Sequence, residues 1–396
     1  MKKVLTFLSL TVLVACNKTG DLVPGGTKSA SSSSYSSPGS LVGGSSGGTS
    51  ANPGNGQTPA GQITAGEWND LSHWSFWKEL LQKEDYAQMP SYWSDRPTSR
   101  VSVNLKNLQG EILVDVPVSL LAADNTILWV SRTDNSGNAE LFPLQGGGDQ
   151  VDLGRLKVSI NNSVFENIAT FDNGVNNITI PADGRTERTM DIAFVVDATG
   201  SMGDELEYLK VELTDVLQEI RVRNPTVLIN TGAVFYRDQG DDYITRKSDF
   251  TTHFDRTINF IKEQAADGGG DFPEAVQSAL NESIHNLQWS SAATSRILFL
   301  VLDAPPHHNP EIVSEINNLI EAAAAKGIKI IPVTASGIDK ETEFLMRFIS
   351  ILTNGTYVFI TNDSGIGNDH LKPSVGPYDV EFLNKLMVRL IDKYAH

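Results

Sequence analysis

The sequence predicts an α/β C-terminal domain on a doubly wound, mostly parallel sheet, preceded by a small all-β sandwich domain. Two patterns lead there. From Met190 onward, unbroken apolar runs of strand length alternate with amphipathic helical stretches. Strands that are apolar throughout are those covered on both faces, as in a parallel sheet. Between Arg100 and Ile180 the apolar residues instead recur at every second position, with turn residues between the runs. That is the pattern of short strands with one face toward a core.

Taken in order, the chain opens with Lys2-Lys3 and an apolar run from Val4 to Val14. The run is too short to span a membrane and suits a signal peptide over residues 1–16. It ends in Leu13-Val14-Ala15-Cys16, which resembles a bacterial lipobox, and Cys16 is the chain's only cysteine. The resemblance implies cleavage before Cys16, its lipidation, and a protein held on a membrane of the bacterial envelope, outer membrane or cell surface. Residues 17–66 are rich in Ser, Gly, Thr and Pro and read as a flexible tether.

Residues 67–99 are dense in aromatics. Leu71, Trp74, Trp77 and Leu81 recur at helical spacing, so an amphipathic helix is expected. Two uses of the rings remain open: packing on a neighbouring domain, or a face on which a glycan stacks. Residues 100–182 form the expected antiparallel sandwich. Gly110, Val116-Pro117-Val118-Ser119-Leu120 and Thr133-Asp134-Asn135-Ser136-Gly137 resemble carboxypeptidase-regulatory-like modules. No catalytic constellation occurs in this region, which reads as a spacer or adhesive module.

The α/β domain spans residues 185–396. Its strands include Ile192–Val196, Ile297–Leu302, Ile328–Val333 and Tyr357–Ile360, and helices are expected from Leu206 to Ile220 and after Pro273. Ligands of such sheets sit beyond the carboxyl ends of the strands, where the strand order reverses. After the first strand comes Asp197-Ala198-Thr199-Gly200-Ser201, one carboxylate and two hydroxyls within five residues. A hard cation prefers such oxygen donors. Here the sequence resembles the von Willebrand factor A family, whose metal-ion-dependent adhesion site begins Asp-x-Ser/Thr-x-Ser. The resemblance implies that Asp197, Thr199 and Ser201 are ligands, with Asp303 in Leu302-Asp303-Ala304-Pro305 as the last aspartate. It also implies the strand order 3-2-1-4-5-6. Gly268-Gly269-Gly270-Asp271-Phe272-Pro273-Glu274 stands where the family's second loop has a threonine. Asp271 is the expected ligand there, directly or through water, with Glu274 one turn on. Mg²⁺ is the expected ion, with Mn²⁺ or Ca²⁺ as alternatives, and a protein partner supplying an acidic residue is the implied ligand.

Other polar clusters read more simply. Tyr236-Arg237-Asp238 with Gly240-Asp241-Asp242 suits a solvated loop, His307-His308 a rim, and the acidic residues from Glu205 to Glu219 a solvated helix face. The net charge of −17 speaks against nucleic acid, which calls for a basic face. Catalysis is not expected. Mg²⁺-dependent phosphotransferases with an aspartyl nucleophile carry a second aspartate where this chain has Thr199, and no Walker-type phosphate loop occurs.

Overall fold

The computed structural model describes residues 59–93, 97–143, 151–184 and 188–395. The expected signal peptide, Cys16 and most of the tether lie outside the described residues. The tether's end does not. Thr64–Trp68 is a strand, β1, and the boundary expected after residue 66 falls inside it. Ile63 and Ala65 are fully buried, so this end of the polar segment is part of the folded body.

The aromatic segment forms three short helices, α1 (Trp74–Leu80), α2 (Glu84–Ala87) and α3 (Met89–Tyr92). Trp74, Trp77, Tyr86 and Trp93 are all buried. The Trp77 indole donates to the Pro97 carbonyl at 3.1 Å and its ring stacks on Phe344 at 5.5 Å. Rings spent in this way offer no platform to a glycan. The stacking alternative is therefore corrected: the spacing that suggested an aromatic face marks the side of the segment that packs inward.

The sandwich follows as β2 (Val101–Asn107), β3 (Pro117–Leu121), β4 (Ile127–Arg132), β5 (Asn138–Leu141), β6 (Lys157–Ile160), β7 (Ser163–Phe165) and β8 (Asn176–Ile180). One sheet has the order β5-β2-β8 and the other β4-β3-β6-β7. The alternating residues Val101, Val103 and Leu105 point into the core between them. One pairing departs from the antiparallel expectation: β8 runs parallel to β2. The chain crosses from one sheet to the other before β8, and alternation along a strand carries no information about its neighbour's direction.

The α/β half comprises β9 (Thr189–Asp197), α4 (Leu206–Arg223), β10 (Leu228–Tyr236), β11 (Thr245–Thr251), α5 (Phe254–Lys262), α6 (Val276–Asn281), β12 (Ser295–Leu302), α7 (Pro310–Lys326), β13 (Ile328–Thr334), α8 (Lys340–Leu352), β14 (Tyr357–Ile360), β15 (Val380–Phe382) and α9 (Leu383–Ala395). Its sheet has the order β11-β10-β9-β12-β13-β14-β1-β15. The first six strands reproduce the expected 3-2-1-4-5-6 order. β9, β10, β12, β13 and β14 run parallel, and every residue of β9 and β12 is buried, as the apolar runs Ile192–Val196 and Ile297–Leu302 require. β1 then adds to β14 and pairs with β15, antiparallel to both.

Local chemistry fixes the helix ends. The Asn309 side chain caps α7 by accepting from the Ile312 N–H at 2.9 Å, Pro310 follows it, and Gly327 closes the helix in the left-handed conformation. Asp339 caps α8 in the same way at Thr342. Glu205, just before α4, and Glu212 on it were expected on a solvated face, yet both are about 1% exposed. Glu212 accepts from the backbone N–H groups of Gly61, Gln62 and Ile63 at 2.9, 2.8 and 3.3 Å. It thereby anchors the strand that the tether becomes. Glu212→Ala leaves those donors without their acceptor at a cost of about 1–3 kcal/mol. Faster amide exchange across residues 61–68 than across β9 is the expected signature.

The sandwich and the α/β half share one apolar core, in which Leu128 and Trp129 of β4 join Ile316, Leu319 and Ala323 of α7. The Arg296 guanidinium, at the start of β12, meets Asp115 of the sandwich at 2.8 Å with both side chains buried.

Candidate functional site

The switch point of the sheet lies between β9 and β12, since the chain proceeds from β9 to β10 and β11 on one side and from β12 to β13 and β14 on the other. Asp197 is the last residue of β9, and Asp303 follows β12 directly. The two neighbouring strands deliver both carboxylates to one crevice. In the turn after β9, the Thr199 N–H and hydroxyl donate to Asp197 Oδ1 at 2.9 and 2.7 Å, and the Thr199 and Ser201 hydroxyls lie 3.2 Å apart. Ser201 also acts on Asp303, holding its carboxyl down against the effect of burial. Asp197, Thr199, Ser201 and Asp303 are thus one contiguous group.

Asp271 is not part of it. Its side chain is exposed on the loop before α6, and it is absent from the charges that act most on Asp197 and Asp303. Glu274 is the acid that turns inward, 3% exposed. Its backbone N–H donates to the Pro305 carbonyl at 2.8 Å, and a backbone bridge ties it to Pro306. This clamp to the loop after β12 decides which of the two acids enters the crevice. The sequence shows both residues but not the clamp.

Among the described residues, three buried carboxylate oxygens have no hydrogen-bond partner: Asp197 Oδ2, Glu274 Oε2 and Asp303 Oδ1. Burial raises all three acids, and mutual repulsion raises Glu274 and Asp303 further. Burial pushes Asp197 up to about 6, opposed by the Thr199 donors. Asp303 rises to about 7 through burial and the charge of Asp197, and Glu274 to about 9 through burial and the charges of Asp197, Asp238 and Asp303. The buried Tyr236 hydroxyl lies in the same negative field and is pushed well above its ordinary value. Among the described residues, no three His, Cys, Asp or Glu side chains lie at metal-cluster spacing. Direct donors to a cation here would be two acids and two hydroxyls, with Glu274 behind them.

The loops around the crevice are tied together. Asp241 Oδ2 accepts from the N–H groups of Asp238 and Gly269 at 3.0 and 2.9 Å. Gly268 has φ +79°, and a Cβ there would lie within 2.5 Å of the Asp241 carboxylate, so a side chain at this position is excluded. Gly200 donates to the Gly268 carbonyl at 3.1 Å, drawing the glycine loop against the turn after β9. The segment from Tyr236 to Asp242 was expected to be a solvated loop. Instead Arg237 and Asp238 are buried, and Asp238 accepts from or shares a proton with His307 at 2.8 Å. His308 faces away and stacks on Tyr92 at 3.6 Å.

Residues 191–364 match the von Willebrand factor A domain family. A protein of Acanthamoeba polyphaga mimivirus, named as an ariadne-like RING finger protein, is 31% identical over 204 residues, 47% of this chain and 20% of that protein. An alpha-protein kinase of Dictyostelium discoideum is 24% identical over 213 residues, 52% of this chain and 32% of its own length. The chain therefore spans about a fifth to a third of these curated relatives. Among solved structures, an aerotolerance-related membrane protein from Bacteroides fragilis is 13% identical with a TM-score of 0.35, covering 52% of this chain and 99% of that one. BatB from Bacteroides thetaiotaomicron is 14% identical, also at 0.35, over 52% and 98% of the two chains.

Proposed function

We propose that the von Willebrand factor A domain of this chain holds a divalent cation, Mg²⁺ before Mn²⁺ or Ca²⁺, and binds a protein partner through it. The role is adhesion or assembly, on a lipid-anchored protein of the bacterial envelope. The observation that carries this reading is the set of unpartnered buried oxygens on Asp197, Glu274 and Asp303. Buried polar atoms normally find partners, and a cation among these acids would satisfy their free oxygens and hold them ionised.

The donor set fits a hard cation, since all of it is oxygen. Asp197, Asp303, Thr199 and Ser201 would hold the ion. When bound, the ion supplies a Lewis-acidic position open to one oxygen of a partner, such as the carboxylate of an acidic side chain. The chain's own residues prepare that position. The Thr199 donors fix one oxygen of Asp197 and leave the other free. Glu274, clamped to Pro305, places a third carboxyl group behind them. Thr199 in place of a second aspartate supports binding over phosphoryl transfer.

Anchorage rests on Leu13-Val14-Ala15-Cys16. No helix among the described residues is long and apolar enough to cross a membrane.

Calorimetric titration of Mg²⁺, Mn²⁺ and Ca²⁺ into the chelator-stripped full chain tests the proposal. One-site binding is expected, and no heat with any of the three ions sinks it. Glu274→Gln is expected to weaken cation binding by about 10–100-fold, the usual effect of removing a group that supports the direct ligands. Asp271→Asn is expected to leave the affinity unchanged, and a larger loss at Asp271 than at Glu274 would reverse the assignment of the third acid.

A further inference from the structure

At the opposite end of β12 from Asp303, a cleft of about 340 Å³ opens beside α7 and a π-helical turn over Glu282–Asn286. From Arg296 to Asp303 the strand rises roughly 23 Å at about 3.3 Å per residue, so the cleft is separate from the cation site. Its volume lies in the range of small-ligand pockets. Its chemistry runs against the rest of the molecule. On a chain of net charge −17, the described residues lining it include Arg132, Arg296, Lys326 and His285, and no acid.

These cations are incompletely balanced. Arg132 and Arg296 both turn to the one carboxylate of Asp115. Lys326 Nζ donates to the Ile284 carbonyl at 2.6 Å, and among the described residues it has no carboxylate partner. That carbonyl belongs to the π-helical turn, a rare geometry found mostly where a helix is shaped around a function. Trp289 supplies an apolar wall. Its indole N–H is engaged by the Ser283 carbonyl at 2.8 Å, so its ring is what the cleft meets. Ser290 and Ser291 add hydroxyl donors at the mouth. Burial depresses the Lys326 ammonium below the ordinary lysine value, and burial with the Lys326 charge depresses His285. Of the two, the His285 shift includes repulsion from a neighbouring positive charge.

We propose that this cleft binds a small anionic ligand, presenting a carboxylate or phosphate oxyanion to Lys326 and Arg132 with its body against Trp289. Charge-assisted hydrogen bonds to such a group are the strong ones, and a guanidinium beside an ammonium suits either oxyanion.

The test titrates inorganic phosphate and citrate into the full chain carrying Asp197→Ala, at low ionic strength, so that no cation at the other end collects the anion. Saturable binding of at least one probe is expected, and the probe that saturates identifies the oxyanion. Lys326→Gln is expected to weaken it by roughly tenfold or more, the loss of one hydrogen bond to a charged group. Lys326→Arg is expected to keep it, with both variants melting as the parent does. No saturation by either probe in the low-millimolar range overturns the proposal. So does equal affinity in Lys326→Gln.

Discussion

Asp197→Ala is expected to abolish divalent-cation binding and to leave the domain folded. The residue ends a strand that is buried throughout and apolar from Ile192 to Val196, so the sheet does not depend on it. What the substitution removes is one fully buried carboxylate, with Oδ1 held by Thr199 and Oδ2 free. Losing the two Thr199 contacts costs on the order of 1–3 kcal/mol. Relief of repulsion from Glu274 and Asp303 offsets part of that loss in the metal-free protein. Urea midpoints with chelator and with excess Mg²⁺ separate the two effects. Wild type gains stability with the ion, because a ligand bound by the native state alone stabilises it. The variant is expected to show the same midpoint in both conditions. A variant that is unfolded at ordinary temperature would mean that Asp197 is chiefly structural.

The largest loss of stability is expected from Asp70→Ala. Arg347 and Asp70 form a two-point ion pair, with Nε to Oδ2 at 2.9 Å and Nη2 to Oδ1 at 2.6 Å, and both side chains are fully buried. Arg347 Nη1 also donates to the Ser374 carbonyl at 2.7 Å, and Asp70 Oδ1 accepts from the Trp68 indole. The pair fastens the segment after β1 to α8. Removing the acid leaves a guanidinium in the core with Glu343, at 3.6 Å, as its remaining close carboxylate. Breaking a buried pair from one side costs about 3–5 kcal/mol, whereas replacing both partners with apolar groups costs far less. In urea denaturation, Asp70→Ala and Arg347→Met are expected to lower stability severely. The double variant Asp70→Leu with Arg347→Met is expected to recover most of the loss. Additive losses in the double variant would show that the two residues act independently.

The two variants probe parts of the molecule that differ in how far the sequence discloses them. The crevice residues stand at strand ends, and strand ends are recognisable from the apolar runs before them. Asp197, Thr199, Ser201 and Asp303 could therefore be named from spacing and resemblance. Asp70 and Arg347 are 277 positions apart, and nothing local to either announces the other. Glu212 and Glu205 carry the same lesson. Each sits in an acidic stretch that reads as solvated, and each is buried because a distant segment brings donors to it.

By itself the sequence determined the doubly wound half, its strand order through the resemblance, the sandwich before it, and four oxygen donors at the switch point. These follow from periodicity and from short motifs, which depend on neighbours within a turn or a strand. The tertiary structure alone decided that Thr64–Trp68 joins the main sheet, that the aromatic rings are core, that β8 lies parallel to β2, and that Glu274 rather than Asp271 faces the crevice. In each case the deciding contact is a hydrogen bond or a packed face between residues far apart in the chain. Such a contact leaves no periodic trace in either segment.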